Sequence, residues 1–118
     1  MKKQLIAANM QLTDTEAQNF WPVYDRYTQE TIRINDARYL LINEYVTNYS
    51  KMTDAQAQSF TRRLIDVDDA VLRLRSKYVP LVQGVLPSNK TALFFQLDRR
   101  IGLLIDLQLA SEIPMVQP

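Results

Sequence analysis

Apolar positions along this chain keep a helical period almost throughout. They recur at Phe20, Tyr24, Tyr27, Ile34, Leu41 and Tyr45, with Thr31 and Arg38 in the two intervening stripe positions, which predicts one long helix with an imperfect stripe. A second run is more regular. Ala57, Phe60, Leu64, Val67, Val71, Leu74, Tyr78, Leu81 and Val85 alternate steps of three and four residues, the seam of a helix that packs along a partner. After Gly84 and Pro87, with Ser88 as the expected cap, a last helix is predicted from about Asn89 to Ala110. Its apolar residues, including Leu93, Phe94, Phe95, Leu97, Ile101, Leu103, Leu104 and Leu107, cover most of the circumference. Such a helix packs on several sides, as a bundle centre or an oligomer face.

Residues 2–10 are expected to form a short amphipathic helix through Leu5, Ile6 and Met10, stable only when docked because so short a helix is marginal alone. Pro22 removes one intrahelical N–H, so a kink or a restart is expected there, with Trp21 anchoring the bend in the core. Pro80 falls within an unbroken seam and predicts a bend that keeps its helix wrapped on the partner. The tail from Ile113 to Pro118 carries two prolines and is expected to run extended, along a groove or free of one.

One motif occurs twice. Leu12-Thr13-Asp14-Thr15-Glu16-Ala17-Gln18-Asn19-Phe20 returns as Met52-Thr53-Asp54-Ala55-Gln56-Ala57-Gln58-Ser59-Phe60. Each copy is a helix start. The Thr hydroxyl accepts from the third helical N–H, and the Glu16 or Gln56 side chain reaches back to the cap. Asp14 and Asp54 then sit at the positive end of the helix dipole.

Composition agrees with an all-α chain. With 118 residues, 47% of them hydrophobic and 23% charged, the chain is long enough for one core, a single domain over residues 1–118. Two glycines leave little turn chemistry for a β fold. The formal charge is +1 with both signs interspersed, so neither nucleic acid nor an anionic surface is demanded. Met1-Lys2-Lys3 resembles the start of an export signal, but the following residues are too polar for its apolar core, so none is expected within the chain. No run approaches the ~20 apolar residues that span a bilayer.

Histidine and cysteine are both absent. Imidazole bases, thiolate nucleophiles, disulfides and the usual zinc or copper ligand sets are thereby excluded. Asp66, Asp68 and Asp69 form no calcium loop, since helical twist turns Asp68 away and the loop's Gly and terminal Glu are missing. Arg62 with Asp66 and Asp69 with Arg73 are instead expected as surface pairs. With no nucleophile elbow or glycine-rich loop, neither an enzyme nor a bound cofactor is expected. Tyr24, Tyr27, Tyr45 and Tyr78 lie on core stripes, whereas Tyr39 and Tyr49 fall at stripe edges, where half-exposed aromatics could line a protein-binding surface. Two middle helices of 30 or so residues would be rods approaching 50 Å. A thin bundle that long cannot enclose its own seams, so an elongated three-helix bundle with a short N-terminal helix, paired as a homodimer, is expected.

The repeated motif adds a family likeness. Leu12, Thr13 and Glu16, then Met52, Thr53 and Gln56, resemble the L-T-x-x-Q signature of the Spy/CpxP-like periplasmic stress proteins of bacteria, and Val85-Leu86-Pro87-Ser88-Asn89-Lys90 is similar to a degenerate third copy. The resemblance implies a periplasmic protein forming a cradle-like dimer that needs no ATP. It would hold unfolded or misfolded proteins on a helical surface, or dock as an interaction module on one partner such as an envelope sensor kinase. Zinc-linked relatives would carry histidines, so no metal role follows here.

Overall fold

The computed structural model describes residues 2–118, and among them every regular element is a helix. Helix α1 spans Lys2–Met10, α2 Asp14–Asn48, α3 Asp54–Gln83 and α4 Ser88–Glu112. Cross-pairs Glu30–Lys77, Arg38–Asp68, Glu44–Arg63 and Tyr45–Phe60 descend α3 as they ascend α2, so these two helices form an antiparallel hairpin. Pairs Glu16–Lys90, Phe20–Phe94 and Tyr27–Asp98 place α4 alongside α2 in the same direction. The molecule measures 55 × 23 × 19 Å with a radius of gyration of 17.3 Å. A compact chain of this length would have about 13.5 Å, so the expected elongation is present.

Both long helices begin as the repeat dictates. Thr13 and Thr53 adopt extended backbone angles and cap α2 and α3 with complete capping boxes. The last helix starts differently from expectation. Pro87, not Ser88, is the N-cap, with no side-chain hydrogen bond, and α4 continues past Ala110 to Glu112. A proline already held near φ −60°, here with ψ 159°, supplies the extended cap conformation itself, and Ser88 becomes the first helical residue.

Neither internal proline ends its helix. Pro22 and Pro80 lie within unbroken α2 and α3, both on exposed positions, and the restart considered at Pro22 does not occur. Trp21 sits at the core's margin, edge-on to Phe20 and Tyr24 with the Lys3 ammonium 5.1 Å from its ring centre.

The main core occupies one end, where α1 closes over the starts of α2 and α4. Ile6, Met10, Phe20, Val23, Tyr24, Tyr27, Leu74, Tyr78, Val82, Leu86 and Phe94 are buried together. Phe94 is its centre, meeting Phe20, Tyr24 and Tyr27 edge-on at 5.1–6.1 Å. These rings hold α2 and α4 apart, and no Cα of one helix comes within 8 Å of the other among the described residues.

The α3 seam departs from the alternating register in two places. Leu64 and Leu81 are exposed, and burial passes from Tyr78 to Val82 to Leu86 in steps of four. An undistorted helix of 3.6 residues per turn drifts off a 3.5-residue seam unless supercoiling corrects it. Leu5 of α1 is likewise exposed, leaving Ile6 and Met10 as its buried pair. Of the expected surface pairs Asp69–Arg73 forms at 2.8 Å, whereas Arg62 and Asp66 make none among the described residues. Their neighbours Arg63 and Asp68 bridge the hairpin to Glu44 and Arg38 instead.

A buried carboxylate ties the helices together. Asp98 of α4 is only 2% exposed. It receives Lys2 Nζ of α1 at 2.6 Å, the Tyr27 hydroxyl of α2 at 2.6 Å and Arg75 Nε of α3 at 3.3 Å. Each helix thus contributes one group to the hub.

Replacing Thr13 or Thr53 by Ala is expected to cost about 1 kcal/mol each through the lost cap. Phe94→Ala is expected to cost about 3–5 kcal/mol through its cavity. Chemical denaturation of the three variants measures both, and unchanged midpoints for the threonine variants would contradict the capping account.

Candidate protein-binding surface

The repeated motif is structural at both of its sites. Glu16 N–H donates to Thr13 Oγ1 at 3.2 Å and Thr13 N–H donates to Glu16 Oε1 at 2.9 Å. The second copy repeats this with Gln56 and Thr53 at 3.1 and 2.9 Å. Because α2 and α3 are antiparallel, the two copies lie at opposite ends of the hairpin. Their difference has a cause. Lys90 Nζ donates to Glu16 Oε1 at 2.6 Å and to the Gln11 carbonyl at 2.8 Å, so the first copy uses a charge where the second needs only an amide. The Lys90 hydrogen bond, with that from the Thr13 backbone, holds the Glu16 carboxyl below its ordinary range. Gln11 beside it has φ 49°, a left-handed conformation that lets α1 fold back. Leu12 packs against the core, and half-buried Met52 lines a cavity of about 420 Å³ at the far end with Leu41, Tyr45, Phe60 and Arg63.

Tyr39 and Tyr49 are not brought together. Ten residues of helix separate them, about 15 Å along the axis. Tyr39 is half exposed, whereas Tyr49 is half-buried at the end of α2, 5.9 Å from the Tyr45 ring. Tyr45 in turn stacks on Phe60 at 4.5 Å. Tyr45 and Leu41 are buried outside the main core, and the far end of the hairpin is a small aromatic cluster of its own.

Exposed apolar side chains are concentrated beyond the hub. On α4, Leu103, Leu104, Ile105 and Leu107 are each half exposed or more, with Leu107 reaching 68%. Ile32 and Leu40 of α2 and Ile65 and Leu72 of α3 are similarly open. The outer side of α4 is a shallow groove in which Phe95, Leu103, Leu104 and Leu107 are flanked by Arg99 and Arg100, with no carboxylate in its lining. The other side of the hairpin carries an apolar groove of about 400 Å³ between Ile34, Ala37 and Leu40 of α2 and Val67 and Ala70 of α3. Leu103, Leu104 and Leu107 give the apolar circumference of α4 its meaning: its first half is a bundle centre and its second half is an open surface.

Asp98 escaped notice in the sequence, although a carboxylate amid Leu93–Leu109 was the available signal, because an acid on a largely buried helix needs partners. Beside it lies a cavity of about 220 Å³ reached by Thr28, Asn35, Arg38, Arg75 and Asp106. No group of histidine, cysteine or carboxylate side chains capable of holding a metal occurs among the described residues, and no described helix is long and apolar enough to cross a membrane.

Four tyrosines hold their protons tightly. Burial pushes up the Tyr24 and Tyr45 hydroxyls, and burial with the adjacent Asp98 charge pushes Tyr27 higher still. Burial and its hydrogen bond to Glu30 raise Tyr78 to about 12. Glu30, which also accepts from Lys77 Nζ at 2.7 Å, is held low chiefly by that lysine.

No protein-family model, no curated protein and no solved structure matches this chain.

The raised tyrosines fix the sign of the alkaline response. Unfolded tyrosine ionises near pH 10, so the folded chain binds more protons than the unfolded one above that pH, and stability falls as pH rises through 10 toward 12. Denaturation followed from pH 8 to 12 is expected to show this loss, with tyrosinate absorbance rising as the chain unfolds; ionisation of all six tyrosines near pH 10 without unfolding is the contrary result.

Proposed function

We propose that this chain is a non-enzymatic, ATP-independent chaperone of the bacterial periplasm, of the Spy/CpxP-like kind, which binds unfolded or misfolded proteins on its helical faces. The observation that carries the reading is the open apolar surface beyond the hub, above all Leu103, Leu104 and Leu107 on α4. Contiguous exposed apolar area on a monomer marks an interaction site. A shallow face suits many weak clients, since it demands no particular side-chain shape. The capped repeat that resembles the L-T-x-x-Q signature supports the proposed family and compartment. Pairing as a homodimer, with part of this apolar surface buried against a second copy, belongs to the same proposal.

A second reading, a docking module for one partner such as an envelope sensor, draws support from the α4 groove. Its leucines with Arg99 and Arg100 at the margin form a discrete apolar patch with a charged rim, the anatomy of a dedicated interface.

Purified protein is expected to suppress aggregation of a chemically denatured client at a few-fold molar excess. Leu104→Glu combined with Leu107→Glu should weaken suppression several-fold while leaving the helical circular-dichroism spectrum unchanged, because both side chains are mostly exposed on the single chain. Failure of the parent protein to suppress aggregation, with capture of one envelope protein, would replace the chaperone reading by the docking module. Sedimentation at micromolar concentration is expected to give twice the chain mass, and a clean monomer would remove the dimer.

A further inference from the structure

The C-terminal tail leaves α4 in an extended path, with Ile113 at φ −94° and ψ 124° and Pro114 following it. Both residues are half-buried, and the Tyr45 hydroxyl donates to the Pro114 carbonyl. Tyr45 belongs to the far-end cluster with Tyr49 and Phe60, away from the main core. Held to this cluster by the Tyr45 hydroxyl is therefore a short segment without regular secondary structure, Ile113-Pro114-Met115-Val116, whose last two side chains stay exposed. Its chemistry is that of an apolar, proline-containing segment of an unfolded chain. Aromatic surfaces with a hydroxyl or indole donor recognise such segments through ring packing and a main-chain carbonyl, favouring conformations that lose little entropy on binding.

We infer that the Tyr45 cluster at the far end of the hairpin is a docking site for extended, proline-containing apolar segments of unfolded proteins, and that the chain's own tail occupies it as an intramolecular competitor. The identity of the natural occupants as clients rests on the chaperone reading above; the site itself does not. The tail is weakly attached, through one side-chain hydrogen bond and two half-buried residues, but a tether of this kind holds its segment at millimolar effective concentration. A site filled by its own tail roughly 70–90% of the time binds an outside peptide about 3- to 10-fold more weakly than a vacated one.

The test uses a dye-labelled peptide with the sequence of residues 111–118, titrated into the full chain and into its Ile113→Asp variant. The variant is expected to bind the peptide about 3- to 10-fold more tightly than the parent. Adding Tyr45→Phe, which keeps the ring stack but removes the donor, should abolish that gain. Equal or weaker binding to folded Ile113→Asp, or a gain that survives Tyr45→Phe, overturns the inference. A second measurement does not depend on that variant. The chain has no cysteine, so a dye on Met115→Cys, an exposed position, reports the tail alone. Excess unlabelled peptide should release the tail and lower the dye's anisotropy, and unchanged anisotropy at saturating peptide overturns the inference. Tighter peptide binding by Ile113→Asp without any suppression of aggregation upholds the site and removes the chaperone reading. Suppression without a difference in peptide binding does the reverse.

Discussion

One carboxylate, Asp98, decides how this bundle is put together. An ionised acid removed from water is costly unless charges and hydrogen bonds replace its hydration. Here Lys2, Tyr27 and Arg75 converge on it from the three other helices. Bringing all three donors within reach constrains how α1, α2 and α3 sit around α4, so the group favours a register that greasy side chains alone would leave open. The aromatic core around Phe94 supplies most of the burial beside it, and the hub sets which rings meet.

That placement divides the molecule. Up to Asp98 the fourth helix is enclosed by α1 and the hairpin; past it, no further buried residue occurs on α4. The second half of α4 therefore keeps Leu103, Leu104 and Leu107 open to solvent, while Ile101 still packs against the core and Tyr45 meets the tail beyond the helix. Small helical proteins have too much surface to cover all apolar residues, yet the cluster of open leucines on this half-helix exceeds that background. A closed end and an apolar open end make a scaffold suited to binding, and this is why the proposed activity lies on the open faces.

Much of this architecture could be read from the residues. The capping boxes at Thr13 and Thr53 are local, written within four residues, and so the starts of α2 and α3 are legible. The period of the stripes gives the helices, their lengths and the elongated outline. The start of α4 is less so, because Ser88 competes with a proline that already has cap geometry, and backbone preference prevails over side-chain chemistry. Leu64 and Leu81 mislead for another reason: an alternating seam in sequence assumes a supercoil that these helices do not sustain along their length. The hub and the tail contact were illegible because each joins residues 69 or more positions apart in its defining bond, Tyr27 with Asp98 and Tyr45 with Pro114. Periodicity sees only neighbours on one helix. Tyr39 and Tyr49, judged alike by stripe position, have different surroundings: one is open and the other lies against Tyr45, four residues earlier.

The central claim, that four helices are held in register by one buried carboxylate, is tested most directly by native-state hydrogen exchange on Asp98→Asn. Asparagine keeps the shape but removes the charge that the partly exposed Lys2 and Arg75 compensate, and losing these charged hydrogen bonds is expected to cost about 1–3 kcal/mol. If the hub is what joins the helices, protection falls together in Ile6–Met10, Tyr24–Tyr27, Leu74–Tyr78 and Phe94–Asp98. Loss confined to α4, with α1 and the hairpin exchanging as before, would contradict it.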